Sequence, residues 1–218
     1  MTVVERLASL VVSVGPGRRA RVTVDGAGCS GKSTLADRLA GLVGARRPVV
    51  RATIDDFMHP RAVRYRQGSE SARGCYEDTF DLGALRAVLL DPLGPDGSGE
   101  YRTGTFDRFT DRPVDHPALL AAPDAVLLLD GVHLQRPELA GCWDLVVHLQ
   151  VPDTELLRRA RLRDVELLGT AESVEQRYRS RYLPAERWYE QDVDPVERAD
   201  VVLDNTDPDA PVVVKWPS

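Results

Sequence analysis

The sequence predicts an α/β protein in three layers, a mostly parallel sheet covered by helices on both faces. Three observations predict it. Strand-like and helix-like segments alternate along the chain, the order that produces parallel strands joined by helical crossovers. Several strand-like runs are apolar throughout, as strands buried on both faces are. Residues 26–33 read Gly-Ala-Gly-Cys-Ser-Gly-Lys-Ser, a G-x-x-x-x-G-K-[ST] loop set between the first strand-like run and a helix-like one.

The elements follow in order. Val3, Leu7, Leu10, Val11 and Val14 recur at helical spacing, so the N-terminal segment is an amphipathic helix packed on the domain. Ala20 to Asp25 is the first strand and Ser33 to Val43 the helix beyond the loop. Pro48 to Ile54 is a second strand, ending at Asp55-Asp56-Phe57. The arginine-rich stretch Arg61 to Gly74 has little apolar periodicity and reads as a loop or short helical excursion over the site. Asp81 caps a helix reaching Leu90, with Leu82, Leu85, Val88 and Leu89 as its stripe. Asp91 to Gly99 is a Pro/Gly loop, and Glu100 to Asp107 alternates enough for a short strand at an edge. Ala125 to Asp130 and Leu145 to Val151 have the profile of central parallel strands. An arginine-rich helix runs from Pro152 to about Gly169, and a second from Glu172 to Gln191 is kinked near Pro184. Ala199 to Asp204 is the last strand before a proline-rich tail.

Composition narrows the function. A chain of 218 residues with 43% hydrophobic content suits one α/β domain over residues 1–218 with a mobile insertion. A net charge of −6 is the opposite of what a general nucleic-acid binder needs. Cys29, Cys75 and Cys142 have no metal-ligand spacing and are odd in number, which suits free thiols in a reducing compartment. No run reaches the roughly 18 apolar residues of a membrane helix, and Leu7 to Val14 lacks the flanks of a leader. The expectation is a cytoplasmic protein whose partner is a small molecule, not nucleic acid or membrane.

The glycine-rich loop names part of that molecule. Gly26, Gly28 and Gly31 allow positive φ angles and a backbone curled tightly around an anion. Amides from Gly26, Ala27, Gly28, Cys29, Ser30, Gly31, Lys32, Ser33 and Thr34 then point at phosphate oxygens. Lys32 would reach the β- and γ-phosphates, and the Ser33 hydroxyl would ligate Mg²⁺. The four fixed positions arise by chance on the order of once in a hundred chains of this length, and the strand-before, helix-after context lowers that further. ATP with Mg²⁺ is therefore expected. A guanine-reading Asn-Lys-x-Asp is missing, since Asn205-Thr206-Asp207 lacks the lysine, so adenine is the better base.

In open parallel sheets ligands bind beyond the carboxyl ends of the strands. Asp25, Asp55 with Asp56, and Asp130 stand there. Asp130 closes an apolar strand, as a magnesium-holding acid does, or else caps the Asp-Gly turn with Gly131. Asp55 can orient an acceptor hydroxyl and take its proton. Arg159 and Arg163, four apart, share a helix face that could close over the γ-phosphate. The alternative is a solvated face paired with Glu155 and Glu166. His59 lies just past Asp55 and is a candidate substrate contact, whereas His116, His133 and His148 have no site spacing.

With these residues assembled, the chain resembles the uridine kinase and phosphoribulokinase family of P-loop kinases, nearest its bacterial uridine kinase-like branch. The motifs are Asp25 to Thr34, Ile54-Asp55-Asp56-Phe57, Tyr76 to Asp81, Leu129-Asp130-Gly131, Arg159 to Asp164 and Ala199 to Asn205. The resemblance implies a P-loop NTPase-type three-layer fold, with a five-stranded parallel sheet and a helical, arginine-bearing lid at about residues 152–182. It implies Asp55 as catalytic base, Asp78 as a binder of acceptor hydroxyls, and Arg163 as a lid arginine, with Arg159 as a second. Asp130 stands where many members carry Glu. The family forms dimers and tetramers, and no helix face here is apolar enough to choose a homodimer or homotetramer.

The resemblance weakens where a pyrimidine would be read. Family members carry Tyr-Asp-Phe and then a histidine, whereas this chain has Phe106-Asp107-Arg108-Phe109-Thr110-Asp111. Phe106 lacks the hydroxyl and Asp111 takes the histidine's approximate place. A site built for a hydrogen bond loses discrimination when the group is absent. Uridine or cytidine is the first acceptor expected. Pantothenate, nicotinamide riboside, a sugar or a sugar phosphate are alternatives, since Arg61, Arg64, Arg66 and Arg73 equally suit an anionic acceptor. A nucleotide-dependent switch is the reading from a different class.

Overall fold

The computed structural model describes residues 1–217. Its central sheet has six strands: β1 (Ala20–Gly26), β2 (Val49–Thr53), β3 (Val126–Gly131), β4 (Leu145–Gln150), β5 (Val201–Asp204) and β6 (Val212–Lys215). Their spatial order is β6-β5-β4-β1-β3-β2. The first five are parallel, the five that the sequence predicts. β6 is the correction, an antiparallel edge strand formed by the β-branched run of the tail.

Period-two alternation splits each strand's side chains between two cores. On one face α1 (Val3–Ser13) and α2 (Lys32–Gly44) cover Val22, Val24, Val126, Leu128, Val147 and Leu149. Thr2 starts α1 with a capping box to Glu5, and Leu7 and Val11 are fully buried as the helical spacing requires. On the other face Leu127 and Leu129 pack with Phe57, Phe80, Leu85, Leu89 and Leu134. Truncating one such leucine to alanine costs about 2–5 kcal/mol.

Register sets the edge where a ligand could sit. Asp25 pairs with Gly131 across β1 and β3, and Thr53 pairs with Asp130 across β2 and β3. The glycine-rich loop, Asp130 and the turn after β2 therefore emerge side by side.

Elsewhere the elements are more broken than periodicity suggests. Arg61–Arg64 forms one helical turn, and α3 (Ala72–Asp78) follows the remainder of the arginine-rich loop. Asp81 caps α4 (Leu82–Leu85), accepting from the Ala84 amide at 2.8 Å, but the helix widens into a π turn over Arg86–Leu90. The strand expected over Glu100–Asp107 is instead two dipeptides in separate two-stranded ribbons. Between them the backbone is captured by the turn after β2: Thr105 donates to the Asp56 carbonyl at 2.9 Å, and a Cβ on Gly104 would lie 2.8 Å from that of Asp56.

The arginine helix α5 (Asp153–Arg163) gives way to a short turn, Val165–Leu168, which stops at Gly169 in the left-handed region. The predicted Glu172–Gln191 helix is α6 (Ala171–Arg177), a π turn at Tyr178–Tyr182, and α7 (Leu183–Val193). Pro184 explains that break, because it has no N–H for the carbonyl four residues back and its ring crowds it. Among the described residues, no helix is long and apolar enough to cross a membrane.

Candidate active site

The loop after β1 is held in shape from three sides. Gly26 sits at φ +142°, and a Cβ there would lie 2.7 Å from the Leu149 carbonyl oxygen of β4. Gly31 sits at φ +94°, where a Cβ would meet the Asn205 side-chain amide at 2.6 Å. Both positions need glycine. The third left-handed residue is Cys29 at φ +65°, not Gly28 as the motif suggests. Tertiary contacts hold it there: its thiol lies 3.2 Å from the Tyr178 hydroxyl, and its carbonyl accepts from Arg159 at 3.2 Å. Asn205 donates to the Ser30 carbonyl at 2.7 Å.

Lys32 opens α2 and folds back over the loop, donating from Nζ to the Ala27 carbonyl at 2.6 Å. Burial pushes its pKa down, and the charges of Glu186, Asp130, Asp25 and Asp55 oppose that. Ser33 Oγ donates to Asp130 Oδ2 at 2.6 Å. Asp130 Oδ1 is buried with no aligned hydrogen-bond donor, although the Arg51 guanidinium approaches it at 2.7 Å as an ion pair. A serine hydroxyl beside a strand-end carboxylate is a hard-ligand pair that fits Mg²⁺ and its water. Thr34 lies exposed one residue further along α2.

Asp25, at the end of β1, is fully buried and already committed. It accepts from the Leu134 amide (3.1 Å), Gln135 Nε2 (2.9 Å) and the Tyr189 hydroxyl, with His148 Nδ1 at 3.4 Å. Burial alone would raise its pKa. The hydrogen bond and charge of His148, with the bonds from Tyr189 and Gln135, reverse this and hold it well below the usual carboxylate range. Asp25 thus fastens β1 to β4 and α7. Nothing local in the sequence signals its partners, which lie more than a hundred residues away.

A second cluster forms beside the loop. Asp55 occupies a 3-10 turn (Ile54–Phe57) capped by Thr53, and its carboxylate is bound by Arg108. Burial, and then the neighbouring Asp55 charge, push the pKa of Asp56 up. Met58 forms a bridge with Phe80, and His59 donates its amide to the Thr79 carbonyl at 2.9 Å. That bridge brings the end of α3 alongside, so Asp78 comes within electrostatic reach of His59. Asp78 is buried, yet Arg66 and Gln67 (2.7 Å) bind its carboxylate and bring its pKa below normal. His59 Nδ1 stands 4.0 Å from Asp81. Phe106 is buried, and Asp111 accepts from the Arg61 amide (3.0 Å) and from Arg64 (3.1 Å), closing the Arg61–Arg64 turn.

Of the two helix-face arginines, Arg159 bonds the loop and Arg163 lies next to it through Tyr178. Arg159 is held by Glu155 at 2.8 Å and donates to the carbonyls of Cys29, Asn205 (2.8 Å) and Thr206 (3.0 Å). Arg163 pairs with Asp164 at 2.6 Å and reaches the Tyr178 hydroxyl at 3.3 Å, so the acid beside it is Asp164 rather than Glu166. Arg181, which periodicity gave no reason to single out, is buried in the π turn. It donates to the carbonyls of Arg64, Gly68, Ser69 and Ser71, so it frames the loop that supplies Arg66 and Gln67.

A strand, a glycine-rich loop and a helix, with Lys32, Ser33 and a carboxylate at the end of the adjacent strand, define a P-loop nucleotide-binding fold. Comparison with known proteins narrows the class. No family model and no curated protein sequence matches the chain. Solved structures do. A possible uridine kinase from Bacillus stearothermophilus is 26% identical with a TM-score of 0.72, covering 91% of this chain and 96% of that one. A candidate fructose transport system kinase from Silicibacter sp. TM1040 is 24% identical with a TM-score of 0.69, covering 88% and 96%. D-glycerate 3-kinase from Cryptococcus neoformans shares the fold at 15% identity and a TM-score of 0.56, covering 89% of each chain. In structure the chain is thus similar to uridine kinase-like P-loop kinases, and these neighbours support small-molecule kinase activity.

Proposed function

We propose that the protein is an ATP- and Mg²⁺-dependent phosphotransferase acting on a hydroxyl of a small molecule. The observation that carries this reading is the common edge of Asp55 and Lys32: Asp55 follows the strand residue paired with Asp130, and its charge reaches Lys32. An acceptor between them can meet the terminal phosphate and the base together.

The chain's groups would act as follows. Lys32 exchanges the Ala27 carbonyl for phosphate oxygens, where a buried ammonium neutralises charge more effectively than in water. Ser33 and Asp130 would hold Mg²⁺, which would supply further charge neutralisation. Arg159 and Arg163, on a lid at about residues 152–182, neutralise developing charge and exclude water. Asp78 and His59 orient the acceptor. Asp55, released from Arg108, takes the hydroxyl proton as the oxygen–phosphorus bond forms and ADP departs.

Uridine and cytidine are the acceptors that the family resemblance names. Against them, Phe106 is buried and Asp111 is held by Arg61 and Arg64, so neither offers a free group to a pyrimidine. The test is transfer of labelled phosphate from ATP to a panel of alcohols: both nucleosides, pantothenate, nicotinamide riboside, sugars, sugar phosphates and glycerate. Phosphorylation of at least one, lost on Asp55→Asn, is expected. Slow hydrolysis with no acceptor phosphorylated would overturn the kinase reading in favour of a nucleotide switch.

A further inference from the structure

The acid proposed to hold Mg²⁺ is itself held by a residue that the mechanism does not use. Arg51 lies on β2 paired with Leu128, and Asp130 lies two residues further along β3, so the two side chains share the α2 face of the sheet. The Arg51 guanidinium reaches Asp130 Oδ1 at 2.7 Å and Asp37 Oδ1 at 2.8 Å. Asp37 stands on α2 one turn beyond Ser33, and Ser33 donates to Asp130 Oδ2 at 2.6 Å. The contacts therefore close a circuit: Ser33 on α2, Asp130 on β3, Arg51 on β2, and Asp37 back on α2.

We infer that Arg51 is a positioning residue for the metal site, fixing Asp130 by charge so that Oδ2 faces Ser33. The circuit explains why an arginine stands beside a site for a cation. Asp130 has two oxygens, and without a partner on Oδ1 the carboxylate could rotate about its χ2, a broad torsion, and lose its aim at Ser33. The ion pair leaves Oδ1 without an aligned donor, so that oxygen can still accept from metal-bound water. Asp37, the more exposed partner, keeps Arg51 from swinging out to solvent. Outer-shell partners of this kind change metal affinity or activity by roughly 10–100-fold when removed.

The inference rests on the Ser33–Asp130 reading of the metal site, and the test separates the two. The ADP complex is titrated with Mg²⁺ while its thermal midpoint is followed, and the Mg²⁺ dependence of phosphotransfer is measured in parallel. Arg51→Met should need roughly tenfold more Mg²⁺ for half of the stabilisation and half of the activity. Its kcat at saturating Mg²⁺ should stay within about threefold of wild type. Arg51→Lys should recover part of the shift, and Asp37→Asn should move it less in the same direction. An unchanged or lowered Mg²⁺ requirement in Arg51→Met, with the wild-type dependence intact, overturns the role of Arg51 alone. A wild-type ADP complex indifferent to Mg²⁺ removes the metal site and this inference with it. If Arg51→Met fails to fold, Arg51→Lys and Asp37→Asn decide: wild-type Mg²⁺ dependence in both overturns the inference.

Discussion

The two sides of the proposed site, one for the nucleotide and one for the acceptor, are built differently. On the nucleotide side the loop from Gly26 to Ser33 is contiguous in sequence, and its shape comes from backbone angles at Gly26, Cys29 and Gly31. On the acceptor side Asp55, His59, Asp78, Arg66 and Arg108 come from separate segments joined by one bridge and a set of ion pairs. A backbone cradle binds whatever carries phosphates. A cleft made of exchangeable side chains can be retuned to another alcohol without disturbing it. The catalytic reading should therefore be robust and the acceptor assignment fragile.

The comparison breaks first at Lys32. Lys32→Ala should lower kcat by at least roughly 10²-fold, the scale of losing one preorganised charge donor, with the fold retained. The side chain's bond is to a loop carbonyl, not to the core. Single-turnover transfer with the best acceptor measures it, and wild-type turnover would dissolve the nucleotide-side reading.

Asp55→Asn comes next. Loss of a general base should reduce kcat by roughly 10²–10⁴. ATP affinity should hold, because Asp55 touches Arg108 rather than the loop. Equilibrium binding of ATP beside steady-state kinetics makes the split visible, and a collapse of ATP binding with kcat preserved would move Asp55 to the nucleotide side.

How much was legible follows the same divide. Five parallel strands, the loop and the order of acids along one edge could be read because each is a local pattern. β6 was hidden in a tail whose prolines mask a short β-branched run. The break of Glu100–Asp107 into two ribbons goes with Gly104 packing against Asp56, a contact across 48 positions that no period encodes. In the proposed site, Lys32, Ser33, Asp55 and Asp130 are the residues that motifs single out. Asp25 was read as facing ligand because a strand-end acid looks alike whether free or bound to Tyr189 and Gln135. Arg51, Arg108 and Arg181 are three of 28 lysines and arginines and stand at no fixed spacing, so only their partners identify them.

A subtler break lies at Arg181, which bonds no side chain proposed to meet a ligand. Its bonds to four carbonyls of the arginine-rich loop tie that loop to the π turn at Tyr178–Tyr182. Arg181→Lys keeps a charge and some of the bonds. It should raise the acceptor KM about tenfold, the worth of one charge-assisted hydrogen bond, and leave the KM for ATP within about twofold. Equal changes in both would mean that the two sides are not separately built.

The smallest effect tests whether the acceptor side is held by charge. Arg66 and Gln67 keep the folded Asp78 pKa below its ordinary value of about 3.9, despite burial. A depressed carboxylate stabilises the fold above its unfolded pKa, and that contribution is lost as pH falls through the folded one. Wild type should therefore keep this contribution from neutral pH down to about 4 and lose it below. Arg66→Gln removes the larger of the two hydrogen-bond contributions, so its thermal midpoint should lie slightly lower at pH 7, and the gap should close in acid. Arg66 is largely exposed, and screening keeps the difference to a few degrees at most. A gap of constant size from pH 7 to 3 would show that Arg66 acts by packing, and that the loop is shaped by something other than the ion pair.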